Sequence, residues 1–131
     1  MKKTFTKEER LCSHRLIGML FAKGSKFHLS PFRINWSRVL PDETTSPVQV
    51  MMSVPKYNFR RAVDRNLVRR RMKEAYRLNK QLLYDNISGT GTQIVFCITY
   101  TAKEIVAYSL IEAKIILLLQ RLIEENEKVT G

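Results

Sequence analysis

Residues 60–84 contain neither glycine nor proline and are rich in strong helix formers. Within them Val68, Met72, Ala75, Tyr76, Leu82 and Leu83 recur at helical spacing, with Asn79 the one clearly polar member of the row. A single helix has no core of its own, so the remainder of the chain must supply the surface that buries this row.

The flanking segments read as that surface. Phe32, Ile34 and Trp36 alternate with Arg33, Asn35 and Ser37, the pattern of a half-buried strand. Val48, Val50, Met52 and Val54 alternate with Gln49, Met51 and Ser53, a second strand that Pro55 ends. Ile94, Val95, Phe96, Cys97 and Ile98 form a continuous apolar run, which suits a central strand covered on both faces. Ser13 can cap an earlier helix whose stripe is Leu16, Ile17, Leu20 and Phe21, with Gly24 as its stop. Thr101 can cap a last helix running to about Glu127. Residues 40–47 read as a turn and 86–91 as a loop. The order is helix, two or three strands, helix, strand, helix. That is an α+β fold in one domain, residues 1–131, around one sheet.

Composition bounds the function. The chain has 131 residues, 44% of them hydrophobic, enough to bury a core without disulfides or metals. Cys12 and Cys97 lie far apart, which fits two partly buried free thiols in a reducing cytoplasm. No apolar run follows Met1, Lys2 and Lys3, so no secretory signal is expected. The densest apolar stretch, residues 115–119, falls short of the roughly 20 residues a membrane span needs. Its excess apolarity means either deep burial or self-association.

The net charge is +11. Residues 56–80 alone carry ten basic and two acidic side chains, so most of the excess is one surface patch on one helix. Arg61, Arg65 and Arg69 are spaced i, i+4, i+8 and are expected to line one face, with Lys73 and Arg77 extending it and Arg60, Arg70 and Arg71 broadening it. Like charges so spaced repel, and phosphates relieve the repulsion. Nucleic-acid binding is therefore the expected function. A flexible strand would in addition need stacking surfaces. Phe5, Phe21, Phe27, Phe32 and Trp36 are the candidates, each weighed against an ordinary place in the core.

A catalytic site is hard to assemble. His14, in the first turn of a helix, and His28, in a loop, have no Cys or carboxylate at metal spacing. There is no glycine-rich phosphate loop. Asp64 and Glu74 are the only acidic residues near the basic helix, thin for a two-metal nuclease. No catalytic and no metal-ligating residue is assigned.

Ser53, Val54, Lys56, Ala62, Arg65, Asn66, Val68, Arg69, Arg70, Tyr76 and Arg77 together form a strand end, a connector and an Arg-Asn helix motif. This stretch resembles the bacterial ribonuclease P protein component. Phe5, Arg10, Leu11, Phe21 and Gly24 extend the resemblance toward the N-terminus. It implies an αβββαβα order of the ribosomal protein S5 domain 2-like type. The sheet would be four-stranded and mostly antiparallel, with a left-handed βαβ crossover, against the usual handedness. It also implies the role of a protein subunit bound to a catalytic RNA. That RNA, with Mg²⁺, removes the 5′ leader of precursor tRNA in the cytoplasm.

By the same resemblance Lys56, Arg60, Arg61, Arg65, Asn66, Arg69, Arg70 and Lys73 face the catalytic RNA. Phe21, Arg33, Ser53, Ile17 and Asn35 line the leader cleft between the first helix and the sheet. Three positions depart from the pattern. Leu67 replaces an arginine, with Arg70 or Arg71 as the nearest compensation. Ile17 stands where a second cleft aromatic is common. The strand aromatic falls on Asn35, unless a one-residue slip brings Trp36 into its place. The competing readings are a non-enzymatic ribosomal or RNA-chaperone protein and an independent nuclease.

Overall fold

A computed structural model of the chain describes residues 5–40, 44, 46–87 and 91–130. Half of the turn expected over 40–47, and the tip of the loop expected over 86–91, lie outside the described residues. After a 3₁₀ turn at Lys7–Glu9 the elements are α1 His14–Lys23, β1 Ser25–Leu29, β2 Phe32–Val39, β3 Val48–Ser53, α2 Ala62–Asn79, α3 Gln81–Ile87, β4 Gln93–Tyr100 and α4 Tyr108–Thr130. The sheet order is β1-β2-β4-β3. β1–β2 and β2–β4 are antiparallel, and β3–β4 is parallel. The parallel pair is what the long connection through α2 and α3 makes possible, since parallel strands cannot be joined by a tight turn.

Strand alternation divides the sheet into two faces. One carries Phe27, Phe32, Ile34, Trp36, Val50, Ile94, Phe96, Ile98 and Tyr100, which form the main core with Val68, Met72 and Tyr76 of α2 and Ile111, Ile115, Leu118 and Leu122 of α4. The other carries Val95 and Cys97 beneath Leu16 and Leu20 of α1, with Leu11, Ile17, Val39 and Met51 around them. β4 is buried on both faces, as its unbroken apolar run requires.

Several expectations shift. β1 is a full third strand before Phe32, so His28 lies on a strand and not in a loop. The long helix begins at Ala62, because Phe59 is drawn into the core and holds the preceding residues in a connector. It breaks at Lys80, whose side chain turns inward to Glu9. Thr101 does not cap α4. Its N–H and hydroxyl both donate to the Pro31 carbonyl, tying β4 to the β1–β2 turn, and α4 starts at Tyr108. Burial takes Ile115, Leu118 and Leu119, while Leu117 is exposed. The two thiols are free but unlike: Cys12 is exposed and Cys97 is buried. Burial pushes the Cys97 thiol up from its ordinary value.

The ends of α1 follow the sequence. Ser13 Oγ accepts from the Leu16 N–H at 3.2 Å. Gly24 closes the helix, but with extended backbone at φ −71°, ψ 158°, so a left-handed cap is not its reason. A Cβ there would sit 2.4 Å from the Leu20 carbonyl oxygen and 2.9 Å from that of Trp36. Both are backbone atoms and cannot swing away. Gly24→Ala is therefore expected to cost about 1–3 kcal/mol, the usual range for overpacking, read as a lowered midpoint in urea unfolding.

Candidate nucleic-acid interface

The outward face of α2 is the basic surface. Asn66, Arg70 and Lys73 are exposed, Arg69 is half-buried, and with the exposed Val63 they line an open groove. Arg69 Nη1 donates to Asn66 Oδ1 at 3.1 Å, which holds that guanidinium along the groove. Beside it a second concavity is lined by Arg70, Lys73, Glu74 and Arg77 of α2 and by Phe5 and Arg10 of the N-terminal segment. Glu74 takes two hydrogen bonds from Arg77, at 3.0 and 2.6 Å, and these hold its carboxyl below its ordinary value.

The straight ladder Arg61–Arg65–Arg69 is not what the helix presents. A step of four residues turns about 400°, so an i+4 row drifts about 40° per step around the axis. The row that stays on one side alternates steps of three and four: Val63, Asn66, Arg70, Lys73, Arg77. Arg65, at the drifting end, points back over the connector, where its Nη1 donates to the Phe59 carbonyl at 2.9 Å and the Arg60 carbonyl at 3.2 Å. Arg71 lies on another side and donates to the Val106 carbonyl at 2.8 Å, before α4. It therefore does not broaden the basic face and is not placed to compensate for Leu67. Lys56, Arg60 and Arg61 are exposed on the connector that leads into α2.

The α1 side of the sheet holds the other group. Register places Arg33 opposite Thr99, and Thr99 opposite Ser53, so these three form one polar row across β2, β4 and β3. The next row on that face is Asn35, Cys97, Met51. Phe21 projects from α1 with 48% of its surface exposed, and Ile17 packs half-buried against the small core. Asn35 takes the α1 face and is buried, its Oδ1 lacking a partner among the described residues. Trp36 takes the opposite face and is core, so this strand offers no aromatic to the α1 side.

A family model described as Ribonuclease P matches residues 5–123. The chain belongs to the ribonuclease P family. It is 41% identical over 80 residues to the ribonuclease P protein component of Porphyromonas gingivalis, a match covering 61% of this chain and 58% of that one. The corresponding protein of Chlorobium phaeobacteroides is 38% identical over 80 residues, covering 60% of this chain and 55% of that one. The chain thus matches little more than half the length of these ribonuclease P relatives. Solved structures share the fold. The RNase P protein from Thermotoga maritima has a TM-score of 0.66 at 19% identity, covering 86% of this chain and 96% of that one. The RNase P protein of Staphylococcus aureus has a TM-score of 0.65 at 18% identity, covering 87% and 94%.

In this ribonuclease P family member most of the stacking candidates are spent elsewhere. Phe27, Phe32 and Trp36 are core, and Phe5 packs edge-on against Tyr76 with the Arg10 guanidinium over its ring. Phe21 is the one left exposed. Asp64 and Glu74 are ten residues apart, about 15 Å along the axis, so α2 does not bring them together as a metal pair. Among the described residues no three His, Cys, Asp or Glu side chains converge, and no helix is long and apolar enough to cross a membrane. Two further residues join the surface without a strong sequence signal. Arg10 stands at the basic concavity because its backbone bridges to Val50 at the β3 edge. Tyr57 is exposed in the connector, and its only signal is an aromatic between Lys56 and Asn58, two residues after a proline.

Proposed function

We propose that this chain is the protein subunit of a cytoplasmic ribonuclease P, acting on precursor tRNA together with a catalytic RNA. The observation that carries the reading is the groove of Asn66, Arg69, Arg70 and Lys73 in a chain of this family. Guanidinium and ammonium groups on a rigid helix neutralise phosphates of folded RNA and release its counterions. The half-buried Arg33 and Ser53 at the two ends of the polar row, with Phe21 exposed on α1, suit a single-stranded 5′ leader: a cation for phosphate, a hydroxyl for sugar or a base edge, one ring for stacking.

The phosphodiester is cleaved by the RNA in this reading. The basic face repels a cation and does not fit Mg²⁺, so the ion belongs on the RNA, where it would activate water and stabilise developing charge. The protein's share is to hold two polyanions together. It lowers their mutual repulsion and so the Mg²⁺ concentration they need.

Reconstitution with a bacterial catalytic RNA at low Mg²⁺ tests this. Leader removal should depend on the protein, and the protein alone should cut nothing. Phe21→Ala should leave catalytic-RNA affinity unchanged but lower affinity for leader-bearing precursor by about 5-fold or more relative to mature tRNA, the scale of a single base–ring stack. Equal effects on both substrates would return Phe21 to a packing role.

A further inference from the structure

The connector between β3 and α2 holds an aromatic ring out in solvent, and it is built to do so. The Asn58 N–H donates to the Pro55 carbonyl at 3.2 Å, closing a four-residue turn with Lys56 and Tyr57 at its middle positions. The turn is pinned on both sides. Val54 and Phe59 are buried, and the Phe59 ring packs against Tyr100 with centroids 5.9 Å apart. Asn58 Nδ2 donates to the Tyr100 carbonyl at 3.1 Å. Arg65 clamps the Phe59 and Arg60 carbonyls from the helix. What this anchoring leaves at the tip is Tyr57, 78% exposed, the most exposed large apolar side chain among the described residues.

A lone exposed apolar residue needs no explanation. Tyr57 is not alone. Lys56, Arg60 and Arg61 are exposed around it, and Ser53 of the polar row lies four residues before it. Along the chain it therefore stands on the connector that joins the two surfaces proposed above. Cations that hold a sugar-phosphate strand beside a ring free to take a base are the combination by which proteins bind unpaired RNA. A rigid turn also spares the ordering cost that a mobile loop would meet on binding.

We propose that Tyr57 stacks on an unpaired nucleobase of bound RNA. The assignment rests on the RNA-binding reading above. The base comes from the leader strand or from the catalytic RNA; the chemistry is the same for both.

The test uses the full chain, a labelled single-stranded RNA of about ten nucleotides and a blunt duplex of the same sequence. Tyr57→Ala should weaken single-strand binding about 5- to 100-fold, the range of one base–ring stack, and duplex binding by less than about twofold. Tyr57→Phe should stay within about twofold of the parent, because stacking needs the ring and not the hydroxyl. The thermal midpoint of both variants should match the parent, since the side chain touches little. In the reconstituted holoenzyme, a loss confined to leader-bearing precursor assigns the base to the leader, and a loss in catalytic-RNA affinity assigns it to that RNA. A Tyr57→Ala chain that binds single strands as the parent does overturns the proposal, as does a Tyr57→Phe chain that loses as much as Tyr57→Ala. Those outcomes leave the basic-helix reading standing. A parent chain that binds neither RNA overturns both.

Discussion

Replacing Arg69, Arg70 and Lys73 together by alanine is expected to weaken catalytic-RNA binding roughly 100- to 1000-fold at near-physiological salt. Each cation removed forfeits a charge-assisted interaction worth about 1–1.5 kcal/mol at an exposed face, and every 1.4 kcal/mol is tenfold. The slope of log affinity against log salt should flatten by about three units, one for each phosphate no longer neutralised. Stability should not fall, because the three side chains face outward and like charges on a helix repel. Titrations over a range of salt, with a thermal melt beside them, separate these effects. An unchanged slope would mean that phosphates are gripped elsewhere. Arg71→Ala is the contrast. Its guanidinium is bonded to the Val106 carbonyl, so its removal should lower the melting temperature and leave the salt slope alone. Arg65 stands between the two. Its bonds to the Phe59 and Arg60 carbonyls make it a clamp for the connector, so Arg65→Ala should show both a lower midpoint and weaker binding.

The difference among these arginines marks where sequence reading stopped. That a long helix lies within residues 60–84, that its row Val68, Met72, Ala75 and Tyr76 is buried and that its other side is basic were legible, while its break at Lys80 was not. They follow from residue type and a period of 3.6. Which cations share a side was not, because a row at i+4 looks straight in a sequence and winds around the cylinder in space. Strand pairing was legible in part. Alternation assigned Met51 and Ser53 to one face and Val50 and Met52 to the other, as the register bears out. β1 was counted in the αβββαβα order that the resemblance implies but was not located by pattern, because its few residues, Ser25–Leu29, bury only Phe27 fully. Asn35 and Trp36 could not be separated until the pairing of Asn35 with Cys97 placed the strand in register. The start of α4 escaped for a different reason. Thr101 has the right chemistry for a cap, but its hydroxyl is taken by a carbonyl seventy residues earlier in the chain, and no local pattern shows a long-range partner.

The same blindness hid the ion pair that holds the N-terminal segment in place. Glu9 and Lys80 read as two unremarkable charges, yet both are buried, with Lys80 Nζ 2.5 Å from Glu9 Oε2. Tyr84 Oη donates to the same oxygen at 2.7 Å, and the Thr6 N–H and hydroxyl donate to Oε1, each at 3.1 Å. Lys80→Met should therefore cost about 3–5 kcal/mol, because it strands a buried carboxylate without its counter-charge. Urea unfolding at neutral pH measures it. The double variant Glu9→Leu with Lys80→Met should be less destabilised than either single change, since removing both charges leaves no buried charge without its counter-charge, and the donors of Tyr84 and Thr6 that lose the carboxylate are neutral. Acid should act on the same pair. Burial pushes the Glu9 carboxyl up, but the bonds from Lys80, Tyr84 and Thr6 and the ammonium charge outweigh it, so its pKa lies below the ordinary 4.5. A carboxylate with a depressed folded-state pKa stabilises fully above its unfolded value and loses that contribution as pH falls through the folded one. Parent stability should thus begin to drop below about pH 4.5, and this part of the drop should vanish in the double variant. The pair also bears on the basic surface. It anchors the segment that sets Phe5 on Tyr76 and Arg10 beside Arg70 and Lys73. Lys80→Met should then weaken RNA binding although Lys80 is buried beneath the basic face, and the double variant should recover affinity in step with its recovered stability. Affinity that stayed at the parent's level in the single variant would detach the N-terminal segment from the basic face.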